Sequence, residues 1–257
     1  MIVGFIGSGN MAAAMARGWA AGRPDSPSRL LFTDAGSGRA RALAEETGGE
    51  AMASNEELVE ASDAVVLAFS PGLLDEIVPG IGAPNLVLSL LGATPLSRLT
   101  AAFPEVDVLR LMPNLGVEVG KGVICISEGG IEAGAKRAGV FRSLAALGEV
   151  IELEDSLMDA ATAMMGCSPA YFAEVAQALA DVGSDSGLDP EIALRMVSLS
   201  MAGTADLLAR RTPFEISTEV AHPGGSTEAG LEALEAGGGP DAFRSAGQAS
   251  LSRMAGK

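Results

Sequence analysis

Apolar residues fall into two patterns along this chain, and the change comes near residue 154. Before it, short apolar runs alternate with stretches of helical spacing. Ile2–Ile6, Leu30–Thr33, Ala64–Ala68, Leu86–Leu90 and Val106–Met112 read as strands, and Val123–Ser127 and Glu149–Leu153 as two more. Several of these runs are apolar throughout rather than alternating, as in parallel strands covered on both faces. Strand–helix alternation of this kind predicts a Rossmann-type, doubly wound α/β sheet. After Leu153 only helical patterns follow. Ser156 with Asp159 matches a capping box. Ser168-Pro169, Asp189-Pro190 and Thr212-Pro213 each place a cap residue before a proline at the first helical position. On the Pro169 helix, Phe172, Val175, Ala176, Leu179 and Val182 form one apolar stripe. The next helix carries Ile192, Leu194, Met196, Val197, Leu199, Met201, Leu207 and Leu208, apolar nearly all round. A helix without a polar face is buried on every side, which in so short a segment is easiest if a second subunit covers it. The expected organisation is therefore an α/β domain at 1–154 and an all-α domain at 155–257 that joins two chains into an obligate dimer. Gly237–Gly239 is expected to be a turn between helices.

Composition narrows the function classes. Apolar residues make up 48% and aromatics only 4%, so the core is aliphatic. The formal net charge is −16, with lysine only at Lys121, Lys136 and Lys257. Such a surface repels phosphate backbones and anionic membranes, which argues against nucleic-acid and membrane partners. A small anionic substrate would need local dipoles and a few arginines to hold it. No apolar run reaches the ~18 residues of a membrane span. The first strand pattern begins at Ile2, leaving no room for a secretory leader. Two distant cysteines, Cys125 and Cys167, form neither a disulfide framework nor a CxxC pair. A cytoplasmic location is the expectation. With one histidine, His222, neither a His-based metal site nor a Ser-His-Asp triad is expected.

The first chemistry-bearing motif is IVGFIGSGNMAAAM at Ile2–Met15. A strand runs into Gly7-Ser8-Gly9-Asn10-Met11-Ala12 and then into an Ala-rich helix. This is G-x-G-x-x-A in strand–turn–helix context. Gly7 permits the tight turn, Gly9 lets a pyrophosphate approach the backbone, and Ala12 allows close packing of helix on strand. The second strand ends at Asp34. An acidic side chain there hydrogen-bonds a ribose 2′-hydroxyl and repels a 2′-phosphate, which favours NADH over NADPH; alternatively Asp34 caps the helix that follows.

In the second half, Val220-Ala221-His222-Pro223-Gly224-Gly225-Ser226-Thr227 precedes a helix. Free backbone N–H groups and two hydroxyls at such a start can cradle a carboxylate, though a plain capped helix start has the same pattern. With the motifs in order (GFIGSGNM, Ser54-Asn55, Arg110-Leu111-Met112-Pro113-Asn114, Gly120-Lys121-Gly122, Met158-Asp159-Ala160, Ser168-Pro169-Ala170-Tyr171, Ala178-Leu179-Ala180-Asp181 and the PGGST loop) the chain resembles the pyrroline-5-carboxylate reductase family over essentially its whole length. The resemblance implies hydride transfer from NADH or NADPH to the C=N bond of a cyclic imino acid, giving L-proline. It implies an interlocked homodimer through the C-terminal helices, sometimes assembled into larger rings, with the active site between the Rossmann cleft and helices of the dimer. Carried over, Thr227 hydrogen-bonds the imine nitrogen, and Gly224, Gly225, Ser226 and Thr227 hold the substrate. Gly7, Ser8, Gly9, Asn10, Met11, Asp34, Asn55, Ser70, Pro71 and Asn114 hold the dinucleotide, and Met112–Asn114 border the nicotinamide.

Departures from the family pattern cluster around the substrate. Ser70-Pro71 stands where the family usually has Lys-Pro, Leu115-Gly116-Val117 where it has Thr-Pro-Ala, and His222 where serine is usual. His222 has two readings: it contacts the carboxylate or relays a proton, or it is a neighbour of the helix start with no chemical role. Tyr171 is expected in the dimer core and Arg110 as a partner to a carboxylate. Three rivals stand beside the reductase reading. A β-hydroxyacid dehydrogenase would need a lysine in the helical domain, and none lies between Leu153 and Gly256. An imine reductase for a different imine fits the departures. A non-catalytic dinucleotide-binding paralogue would lack turnover.

Overall fold

A computed structural model describes residues 1–131 and 134–254. The chain runs β1 (Ile2–Ile6), α1 (Asn10–Ala20), β2 (Arg29–Thr33), α2 (Arg39–Thr47), β3 (Glu50–Ala51), α3 (Asn55–Glu60), β4 (Ala64–Leu67), α4 (Leu74–Ile77), β5 (Leu86–Ser89), α5 (Leu96–Ala102), β6 (Asp107–Pro113), β7 (Gly122–Ser127), α6 (Ala135–Ala145) and β8 (Gly148–Leu153). It continues through α7 (Met158–Ala161), a π-helical turn (Thr162–Gly166), α8 (Ser168–Asp185), α9 (Pro190–Leu208), α10 (Pro213–Val220), α11 (Ser226–Ala236) and α12 (Gly239–Met254).

Strands order as β3-β2-β1-β4-β5-β6-β7-β8. The pairs from β3 to β6 are parallel, β6 and β7 antiparallel, and β7 and β8 parallel. The first six positions follow the Rossmann order, with the switch point between β1 and β4. Successive residues of each strand supply opposite faces. Val3, Phe5, Phe32, Val66, Leu88 and Leu109 pack on one side with α1, α2 and α6. Ile6, Leu31, Val65, Leu67, Val87 and Val108 pack on the other with α3, α4 and α5. This two-sided burial is why the runs are apolar throughout rather than alternating.

Two compact units emerge: Met1–Cys167 with the chain end from Leu251, and Ser168–Ser250. The sequence pattern placed a boundary at 154/155. The intervening segment packs with the first unit because Met158 is buried beside Met112 and Cys125, and Asp155 and Asp159 both bind Arg110. The same pairing corrects the expected capping box at Ser156. Asp159 gives a carboxylate oxygen to Arg110 at 3.1 Å, and the Ser156 hydroxyl turns to Glu154 instead. Nor does Ser168 start a helix out of a loop, since α7 and the π-helical turn lead into α8 with only Cys167 between. Asp189 and Thr212 do cap as expected, Thr212 in a full capping box with Glu215.

In the second unit, α9 is not buried on all sides within one chain. Leu199 is 64% exposed there, and on α8 Val182 is 64% and Phe172 56% exposed. The Tyr171 hydroxyl is satisfied within the chain, by Ser250 at 2.6 Å and the Ala246 carbonyl. Among the described residues, no helix is long and apolar enough to cross a membrane.

Candidate functional site

The glycine motif occupies the end of β1, beside the switch point. Gly7 has φ +97°, a left-handed conformation that a side chain would strain. A Cβ there would lie 2.6 Å from the Ala68 carbonyl oxygen at the end of β4. Gly7 N–H donates to the Thr33 carbonyl, as does the buried Ser8 hydroxyl, so Ser8's side chain serves the turn. Gly9 is the N-cap of α1, and no side chain caps that helix. The N–H groups of its first turn are therefore available to an anion. A Cβ at Gly9 would meet nothing nearer than 3.9 Å: the space beside its backbone is open, as a pyrophosphate requires. A cleft of about 200 Å³ runs from Ser8, Gly9 and Asn10 to Arg17, Arg39 and Glu46. The residues present fit a dinucleotide.

Asp34 lies at the end of β2. Its carboxylate accepts from the N–H groups of Gly36 and Ala40, each at 2.8 Å, and from the Ser37 hydroxyl at 2.9 Å. The bond from the Ala40 N–H, more than the others, holds its carboxyl below the usual carboxylate range. Asp34 thus caps the approach to α2, one of the two roles left open by the sequence, and keeps its charge at the strand end. It also lines a cavity of about 710 Å³ with Gly36, Arg41, Met52 and Ala53. Asn55 opens α3 after the Ser54 cap, and its side-chain oxygen accepts from the Thr33 hydroxyl at 2.6 Å. Ser70 and Pro71 are exposed beyond β4, where Ser70 caps a short 3-10 turn through its backbone.

Asn114 follows β6 and makes three side-chain hydrogen bonds within the chain. Its side-chain oxygen accepts from the N–H groups of Gly116 at 3.2 Å and Val123 at 3.1 Å, and its amide nitrogen donates to the Met165 carbonyl at 3.1 Å. Asn114, expected beside the dinucleotide, thus spends these side-chain bonds within the chain. Arg110, 3% exposed, is held as expected by carboxylates, Asp155 at 2.9 Å and Asp159.

The loop before α11 belongs to the second unit. Gly224 has φ +73°. Its N–H donates to the Glu228 carboxylate at 2.7 Å, and that of Gly225 to the His222 carbonyl at 2.9 Å. The cradle expected from Gly225, Ser226 and Thr227 is thereby corrected. Gly225 N–H closes the turn, and the N–H groups of Ser226 and Thr227 remain at the uncapped start of the helix. The His222 ring is exposed and has no hydrogen-bond partner among the described residues. Glu228 was missed, although an acidic residue three positions after an N-cap is a helix-start signal. Among the described residues, no group of three or more His, Cys, Asp or Glu could hold a metal.

Comparison with known proteins places this geometry. Residues 155–256 match the model for pyrroline-5-carboxylate reductase dimerisation, and residues 2–91 the model for NADP oxidoreductase, coenzyme F420-dependent. The pyrroline-5-carboxylate reductase of Synechocystis sp. is 32% identical over 95% of this chain and 92% of its own length. That of Thermus thermophilus is 33% identical over 98% and 97%. The chain belongs to the pyrroline-5-carboxylate reductase family. The crystal structure of the 1-pyrroline-5-carboxylate reductase from Streptococcus pyogenes superposes with a TM-score of 0.88 at 25% identity, covering 99% of this chain and 98% of that one. The Plasmodium falciparum pyrroline carboxylate reductase, solved with NADP bound, gives 0.86 at 24% identity and supports the fold. The family match covers both the glycine motif and the PGGST loop. It also gives the exposed faces of α8 and α9 a context, since they lie within a dimerisation segment.

Proposed function

We propose that this chain is an NAD(P)H-dependent reductase that converts 1-pyrroline-5-carboxylate to L-proline. The observation that carries the reading is near-full-length likeness, above 30% identity, to reductases of that name. The dinucleotide, when bound, supplies the hydride. The chain's own task is to bind and orient, which can contribute about 7–11 kcal/mol to such a reaction. The first-turn N–H groups of α1 take the pyrophosphate, and Gly9 leaves room for it. The Asn55 amide nitrogen is left for the adenosine half, since its oxygen serves Thr33.

The Ser226 and Thr227 N–H groups hold the substrate carboxylate, and the Thr227 hydroxyl bonds the ring nitrogen. The imine is already protonated when it accepts hydride at carbon, so that nitrogen keeps its proton and becomes the amine. No strong general acid is required, and His222 serves only to orient the carboxylate. Asp34 keeps a negative charge where a 2′-phosphate would lie, so NADH is the preferred donor. Two chains pair through α8 and α9 into a homodimer that works in the cytoplasm.

The test is oxidation of NADH and NADPH with 1-pyrroline-5-carboxylate by wild type and Thr227→Ala. Turnover that falls at least tenfold in the variant supports the reading. A folded, dinucleotide-binding wild type with no turnover sinks it and directs the search to other imines.

A further inference from the structure

One face of β6 and its extension grips a single short segment at three successive points. Arg110 binds Asp155 and Asp159. Met112 packs in one buried cluster with Met158. Asn114 donates to the Met165 carbonyl. These residues are two apart, so they share a face of the extended chain. Asp155 also accepts from the Leu96 N–H at the start of α5, at 3.0 Å.

The last of the three grips falls where the α-helical ladder is interrupted. In an α-helix the Met165 carbonyl would accept from the N–H of residue 169. Residue 169 is proline, which has no N–H. The chain forms a π-helical turn at Thr162–Gly166, with Cys167 N–H donating to the Thr162 carbonyl at 3.3 Å. The Asn114 amide reaches in from β6 to the Met165 carbonyl. Single π turns recur at functional positions in helices. This one lies on the covalent path from the dinucleotide unit to the helical unit. At its other end, Asn114 stands beyond β6 at the carboxyl edge of the sheet, where open α/β sheets bind their ligands.

We infer that Asn114 is a positioning residue: its side chain ties the ligand-binding edge of the sheet to the π turn through which the chain enters the helical unit, and it does not ligate the dinucleotide. Arg110 with its two carboxylates anchors the same segment one turn earlier. Asn114 acts on catalysis by fixing where the backbone at 112–114 stands; a misplacement of about 1 Å can cost about a hundredfold in rate.

The kinetic arm of the test rests on the reductase reading above; the exchange arm does not. Asn114→Asp keeps the oxygen that accepts from Gly116 and Val123 and loses the donor to Met165. The variant should lose at least tenfold in kcat, keep its NADH Kd within twofold, and melt roughly 3–8 °C lower. A Kd weakened tenfold or more would make Asn114 a dinucleotide ligand and overturn the inference. If wild type reduces no 1-pyrroline-5-carboxylate, the reductase reading falls and hydrogen exchange still decides. Amides of 158–166 should exchange at least tenfold faster in Asn114→Asp, with those of Asp34–Ala40 unchanged. Unchanged exchange at 158–166 overturns the inference.

Discussion

Gly7 and Gly9 belong to one motif but are required for different reasons, and alanine substitution should separate them. At Gly7, φ is +97°, and an added Cβ sits 2.6 Å from the Ala68 carbonyl oxygen, where ordinary contact begins at 3.4 Å. The neighbouring atoms are backbone of Ala68 and Phe69, just beyond β4, and cannot rotate away as a side chain could. Left-handed backbone costs a non-glycine residue about 1–2 kcal/mol. Overpacking against a fixed wall costs about 1–3 kcal/mol more. Gly7→Ala should therefore lose about 2–5 kcal/mol, a large part of a domain stability of about 5–15 kcal/mol. At Gly9 the backbone is extended, φ −78°, and a Cβ meets nothing within 3.8 Å. The only intrinsic cost of Gly9→Ala is a poorer N-cap, under about 1 kcal/mol. Its penalty falls on the ligand, because the methyl fills the space that a pyrophosphate needs. The dinucleotide Kd should rise at least tenfold, about 1.4 kcal/mol. Urea unfolding gives the first quantity and NADH fluorescence titration the second. A wild-type Kd in Gly9→Ala would refute the assignment of the α1 start as the phosphate cradle. Wild-type stability in Gly7→Ala would refute the steric reasoning.

Other outcomes follow from single contacts. Glu228→Gln removes a negative charge that sits on the Gly224 N–H beside the proposed carboxylate cradle; KM for 1-pyrroline-5-carboxylate should fall severalfold while that for carboxylate-free 1-pyrroline stays, and equal changes for both would exclude a charge effect. Because hydrogen bonding, first from the Ala40 N–H, lowers Asp34's carboxyl in the folded protein, its stabilisation is present above the ordinary value of about 4. It is lost as pH falls through the lower folded value; Asp34→Asn should flatten that part of an acid-unfolding profile, and an unchanged profile would count against it. Burial raises the Cys125 thiol, so iodoacetamide should modify it only on unfolding, as peptide mapping can show. Leu199→Arg places a charge on the exposed face of α9 and should yield monomers in light scattering if α8 and α9 pair the chains.

How legible each feature was depended on what determines it. Strands β1, β2, β4 and β5 could be placed within a residue or so because burial on both faces makes each a nearly unbroken apolar run; β8, with Glu149 and Glu152 on a half-exposed strand, showed less of that signal. β3 escaped because Glu50 and Ala51 form a two-residue exposed edge with no apolar signal. The glycine loop was legible because its chemistry is backbone geometry, which Gly7 and Gly9 announce directly. The capping box at Ser156 failed because Asp159 had a stronger partner, a buried guanidinium far away in sequence. Asn114's bond was hidden for the same kind of reason: nothing local shows that its amide reaches Met165.

Pro169 unites these cases. Read locally, it starts a helix, since proline tolerates the first helical position. Read three-dimensionally, its missing N–H lies beside the π turn, to whose Met165 carbonyl Asn114 donates. The proline and Asn114 stand 55 positions apart by the numbering. Either residue alone is ambiguous in sequence; the pair becomes meaningful only when the fold brings β6 against the π turn. The same logic applies to the substrate loop, where Glu228 answers Gly224 across a helix start. In both places a side chain bonds a backbone group beside a helix, Asn114 from across the sheet and Glu228 from four residues on. On the function proposed above, the uncapped N–H groups at the starts of α1 and α11 take phosphate and carboxylate on a chain whose net charge of −16 otherwise repels them.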